Sequence, residues 1–139
     1  MTDGTSSQVR PDAVYGCNLG CARDGSFLVA RFDLGISARA VRIPKGAAIW
    51  MLDNIPISEG LVFGGHYPIL EPEDWDGART PSVVKVRAVE MEGRLVLLLE
   101  LQDGSEANFY LPNMPRWTFT HQLRSYEPQL RSQRASGML

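Results

Sequence analysis

The sequence predicts an all-β fold, a small antiparallel barrel or two-sheet sandwich of six or seven strands with a short C-terminal helical turn. Three observations predict it. The 13 Gly and 9 Pro are spread almost evenly through 139 residues, leaving Arg116 to Glu127 as the longest stretch free of both. Helices of average length fit tightly between such interruptions, whereas strands of five to eight residues fit comfortably. The segments between them are rich in β-branched, aromatic and aliphatic residues. Finally, Glu92-Gly93 and Asp103-Gly104 mark two sharp reversals inside the most apolar part of the chain, and Asp-Gly is a strong hairpin signal.

In chain order, residues 1–12 are small and polar and are expected to be disordered. A single β domain is expected over 13–131, and a flexible tail over 132–139. Strand chemistry begins at Phe27–Leu34 and continues through Arg39–Ile43 and Ala47–Leu52, separated by Gly35-Ile36-Ser37 and Pro44-Lys45-Gly46. These turn-rich spacers suit antiparallel neighbours. Val83–Met91, Arg94–Leu101, Glu106–Leu111 and Trp117–His121 follow as further strands. Leu123, Tyr126 and Leu130 stand at helical spacing, with Pro128 interrupting, so one or two helical turns are expected there.

Treating both reversals as two-residue turns fixes a register by counting. Met91 then faces Arg94, Ala88 faces Leu97, Val86 faces Leu99, and Val84 faces Leu101; across the second turn Tyr110 faces Leu97. Alternation gathers Val84, Val86, Ala88, Leu95, Leu97, Leu99, Leu101 and Tyr110 on one face, the expected core. Four buried leucines there supply on the order of 6–12 kcal/mol of gross hydrophobic driving force. The opposite face collects Lys85 against Glu100, with Arg87, Val89, Val96, Leu98, Phe109 and Leu111. That is too much apolar surface to leave bare, which marks Arg87, Leu98 and Phe109 as candidate binding residues.

Charge narrows the function classes. Fourteen Lys+Arg against 16 Asp+Glu give a net charge of −2, so a basic coat for wrapping nucleic acid is absent. Arg31, Arg39, Arg42, Lys85 and Arg87 lie near Phe27, Phe32 and Trp50 in sequence, the composition of a single-strand binder. Overall acidity opposes that reading, and nucleic acid is not expected as a partner. Asp53, Glu59, Glu71, Glu73, Asp74 and Asp76 follow one another with no intervening Lys or Arg, whereas the end of the chain holds Arg116, Arg124, Arg131 and Arg134 against Glu127 alone. Glu73, Asp74, Asp76, Arg124 and Arg131 are therefore candidate contact residues, because opposite patches steer association. Twelve of the basic residues are Arg, and guanidinium suits interface recognition better than ammonium does.

Catalytic and metal signals are sparse. No Gly-x-Ser-x-Gly, Gly-x4-Gly-Lys-Ser/Thr, His-Glu-x-x-His or Gly-x-Gly-x-x-Gly motif occurs. An EF-hand aligned on Gly77 fails because Pro72 and Val83 stand where acids are needed. Cys17 and Cys21 fall within zinc-ligand spacing, and His66 and His121 are the remaining candidate ligands, but no second closely spaced pair completes the pattern. No cofactor is expected. His66 in the Gly64–Tyr67 loop, with Glu71 nearby, is the candidate acid–base pair for an enzyme or ligand-binding barrel, metal-dependent in one form. No apolar run approaches the roughly 20 residues that span a bilayer, and residues 1–12 lack a secretory pattern. The expectation is a cytoplasmic, non-catalytic binding or assembly module whose partner is another protein or a second copy of itself.

Overall fold

The chain runs through eight strands and three helices among the residues described by the computed structural model, which are 10–56, 69–70, 80–92 and 94–132. A two-residue strand β1 (Asp12–Ala13) leads into β2 (Gly16–Ala22), β3 (Phe27–Asp33) and β4 (Ala38–Pro44). Helix α1 (Lys45–Asn54) and a short β5 (Ile69–Leu70) follow, then β6 (Val83–Met91), β7 (Arg94–Leu101) and β8 (Glu106–Leu111). Helices α2 (Asn113–Ser125) and α3 (Glu127–Leu130) come last. The strands form two sheets, ordered β1-β8-β7-β6 and β4-β3-β2-β5. They are not closed into a barrel.

The first hairpin follows the expected register. Glu92 takes a φ of 53°, the left-handed conformation that a type I′ turn needs at its first central position. Pairing then runs from Met91↔Arg94 to Lys85↔Glu100. Beyond that point a bulge intervenes: Val83, not Val84, pairs with Leu101. Val83 is buried and the displaced Val84 is 59% exposed, as expected where one extra residue must leave the ladder.

The second hairpin is one residue longer than expected. Leu101 N–H donates to Ser105 O at 2.8 Å and Gly104 N–H to Leu101 O at 2.9 Å, so Gln102-Asp103-Gly104 forms a three-residue loop. Gly104 has a φ of 90°, the left-handed position that ends such a loop. The Asp103 carboxylate accepts from Ser105 N–H and Oγ–H, bonds that also hold it below its ordinary pKa. Leu97 therefore pairs with Phe109, not Tyr110. A one-residue slip exchanges faces, and Ala107, Phe109 and Leu111 point inward, all fully buried.

That exchange builds the core. Phe109 of one sheet stacks on Phe32 of the other at 4.1 Å between ring centroids, and Phe119 of α2 lies 6.0 Å from Phe32. Leu95, Leu97, Leu99 and Leu101 are buried as expected. Two segments expected as strands are helical instead. Ala47–Leu52 lies in α1, which buries Ala48, Met51 and Leu52 at helical spacing. Trp117–His121 lies in α2, where Phe119 and Leu123 share the inward face. Pro115 falls in the first turn of α2 and Pro128 in that of α3, positions where a missing N–H costs nothing.

Strand β2 was not expected, and Asp12, placed by sequence in a loose terminus, pairs with Phe109 of β8. Val14 N–H bonds to Tyr110 O and Tyr15 N–H to Asp33 O, so the chain crosses from one sheet to the other within two residues. At the opposite seam, Arg42 N–H bonds to Pro81 O and a bridge joins Arg42 to Ser82. The part of β2 that β5 does not reach is bonded from the C-terminal helical segment: Leu19 N–H donates to Gln122 Oε1 of α2 at 2.6 Å, and the O–H of Tyr126, just past α2, donates to Leu19 O at 3.1 Å. These bonds satisfy an edge that would otherwise invite foreign pairing.

Candidate contact face

The inward leucines of β7 leave Arg94, Val96, Leu98 and Glu100 on its other side, and the pairing carries this alternation across three strands. The outer face is thus organised in rows. One row is Lys85–Glu100–Glu106, the next Arg87–Leu98–Asn108, and the third Val89–Val96–Tyr110. Lys85, Arg87, Glu100 and Glu106 are exposed, Val96, Leu98 and Tyr110 are half-buried, and Val89 is 44% exposed. A shallow depression of about 480 Å³ lies over this surface, lined by Lys85, Arg87, Leu98, Glu100, Glu106 and Asn108.

Of the three binding residues expected here, Arg87 and Leu98 are neighbours on this face, with Arg87 paired directly to Leu98. Phe109 is not. It is fully buried, because the three-residue loop turns it inward; Asn108 and Tyr110 take the opposite side of the strand, where Asn108 is itself buried and Tyr110 half-buried. Glu106, Asn108 and Tyr110 were missed for the same reason. The signal was present: Ser105 after Asp103-Gly104 supplies the donors that favour the longer loop.

The row of charges is unbalanced. Glu106 stands directly opposite Glu100 in the ladder, and like charges at that position repel. Lys85 sits beside Glu100 but two strands from Glu106, about 10 Å by strand spacing. Nothing in this row neutralises Glu106 at close range.

The thiols lie elsewhere. Cys17 and Cys21 both point into the core from β2 and are free. Four residues of strand separate them by about 13 Å, beyond any disulfide. The Cys17 thiol donates to Pro115 O at 3.6 Å, and burial pushes its pKa up to about 12. Cys21 is raised to about 11, by burial first and then by Asp24. Both are protonated at neutral pH, whereas metal binding and nucleophilic attack need the thiolate. His121 stacks on Trp117 at 4.1 Å, and its Nδ1–H donates to the Trp117 carbonyl at 2.9 Å. Among the described residues, no three His, Cys, Asp or Glu side chains are grouped to hold a metal. His66, Glu71, Glu73, Asp74, Asp76 and the Gly64–Tyr67 loop lie outside the described residues.

The C-terminal arginines find partners within the chain. Arg131 bonds to Asp53 at 2.6 Å and to Glu127 at 2.7 Å, and Arg124 bonds to Glu127 at 2.6 Å. Hydrogen bonds from Arg124 and then Arg131 hold the Glu127 carboxyl below its usual range. Arg116, buried in α2, pairs with Glu90 of β6 and donates to Pro56 O at 3.4 Å. Part of the charge asymmetry therefore ties α3 to α1 and α2 to β6. For a nucleic-acid surface the arrangement is poor: Phe32 is in the core, and Lys85 and Arg87 stand on a different sheet from Arg31 and Arg42. No described helix is long and apolar enough to cross a membrane.

The chain matches no protein-family model, no curated protein and no solved structure.

Proposed function

We propose that this chain is a non-catalytic protein-contact module whose working surface is the outer face of β6, β7 and β8. The observation that carries this reading is the juxtaposition on one ordered sheet of half-buried Val96 and Leu98 with exposed Lys85, Arg87, Glu100 and Glu106. Apolar centres beside polar surroundings are the anatomy of a protein interface, and a rigid sheet presents them without an ordering cost. Protonated, buried thiols support the non-catalytic part. We place the protein in the cytoplasm, since two free cysteines too far apart to pair suit a reducing compartment.

Leu98→Glu tests the reading. It introduces a charge on the outer face and leaves the core untouched, so the melting temperature should change little. Proteins recovered with the full chain from its own cells should be lost with the variant. Unfolding of Leu98→Glu, or equal recovery by both forms, would overturn the assignment of this face.

A further inference from the structure

We propose that the depression on the outer face of β6–β8 is a binding site for a short zwitterionic peptide, with its carboxylate at Arg87, its ammonium at Glu106 and a peptide group against Asn108. This goes beyond the contact-module reading and needs only that the face be open.

Asn108 is the anchor. It is 7% exposed, it lines the depression, and its amide has no hydrogen-bond partner among the described residues. Buried polar groups are as a rule hydrogen-bonded, and an amide withdrawn from water without a partner is costly. This one opens onto a depression of about 480 Å³, a volume in the range of small-ligand sites. An amide offers both a donor and an acceptor, which is what a peptide group requires of a partner.

Charge selects the ends of the ligand. Lys85 and Arg87 stand on β6, Glu100 on β7 and Glu106 on β8, all exposed, and none makes an ion pair among the described residues. The two carboxylates repel an anion such as phosphate, and the two cations repel a metal ion. A molecule charged oppositely at its two ends suits both. Lys85 and Glu100 are ladder neighbours and offset each other. Arg87 and Glu106 are left at opposite corners of the depression, with Leu98 and Asn108 between them. Strands β6 and β8 lie two spacings apart, about 10 Å. Three extended residues at about 3.3–3.6 Å each span that distance, whereas a single amino acid does not. The carboxylate then meets the Arg87 fork, and the middle of the peptide lies over half-buried Leu98.

Titration of the full chain with Ala-Ala-Ala to about 20 mM, followed by 1H–15N NMR, tests this, a ceiling suited to so small a ligand. Saturable shifts are expected at Arg87, Leu98, Glu106 and the Asn108 side-chain amide, with a Kd of about 0.1–1 mM. The N-acetylated and the C-amidated tripeptides, each lacking one charge, should bind about fivefold more weakly. Glu106→Gln should bind the free and N-acetylated forms alike, and Arg87→Gln the free and amidated forms alike. Asn108→Leu should lose the shifts while its melting temperature does not fall. Absence of saturable shifts, shifts confined to other faces, equal binding of free and capped forms by the wild type, or full binding by Asn108→Leu would overturn the proposal. If the tripeptide binds as described but Leu98→Glu loses no recovered protein, the peptide site stands and the protein-contact reading falls. If the tripeptide fails while recovery is lost, the contact face stands and the peptide site falls.

Discussion

At the residue scale, the two thiols show how a chemically suggestive pair becomes inert. Cys17 and Cys21 sit four residues apart, a spacing that zinc sites use, but strand geometry turns both into the core and burial holds their protons. Their ordinary value is 9.0, against about 12 and about 11 in the folded chain. Between these limits the folded state keeps protons that the unfolded chain releases, so stability falls as pH rises. The contribution of the thiols should be intact below pH 9.0 and decline toward about 11 to 12. Urea melts across that range should show a smaller decline in a Cys17→Ala/Cys21→Ala variant. Iodoacetamide at neutral pH should modify neither thiol in the native protein and both after unfolding. Rapid native alkylation, or an equal decline in the variant, would contradict the buried, protonated assignment.

At the element scale, Asp-Gly-Ser occurs at two hairpin turns, Asp24-Gly25-Ser26 and Asp103-Gly104-Ser105, and does the same work in both. Each Asp accepts from the N–H and hydroxyl of the Ser two residues on, and each Gly has positive φ, 75° and 90°. Their surroundings differ. A Cβ at Gly25 would collide with the Gln129 carbonyl of α3, whereas one at Gly104 meets nothing. Gly104→Ala should therefore cost about 1–2 kcal/mol from backbone strain alone, and Gly25→Ala clearly more, because α3 must also move. Equal losses in denaturant melts would mean that α3 does not pack on that turn. These turns also show what the sequence made legible. Strands β3, β4, β6, β7 and β8 were readable from composition to within a residue at each end, and the first hairpin's register was readable as far as Lys85. The second was misread by one step because Asp-Gly was treated alone, without the Ser whose donors favour a longer loop. Ala47–Leu52 and Trp117–His121 are short apolar runs that fit either period, and packing against the sheets decided for helix. Strand β2 hid behind Gly16, Asn18 and Gly20, residues poor in strand propensity. The backbone of its buried Leu19 is satisfied by Gln122 and Tyr126, distant in sequence.

At the scale of the whole molecule, the second hairpin decides what is inside and what is offered. The longer loop moves Phe109 and Leu111 into the core, where Phe109 meets Phe32, and leaves a smaller and more polar outer face than alternation alone implied. The opposite charges at the two ends of the chain partly cancel within it through Arg131 and Asp53. On the sheet, Glu106 stands directly opposite Glu100, a like-charge pair. A candidate contact surface therefore shrank from a broad apolar patch to three ordered rows.

Side-chain NMR with a soluble paramagnetic probe tests that central claim most directly. In dilute protein, broadening should reach the methyls of Val89, Val96 and Leu98 and spare Leu97, Leu99 and the ring of Phe109. Protection of Leu98, or broadening at Phe109, would contradict the account.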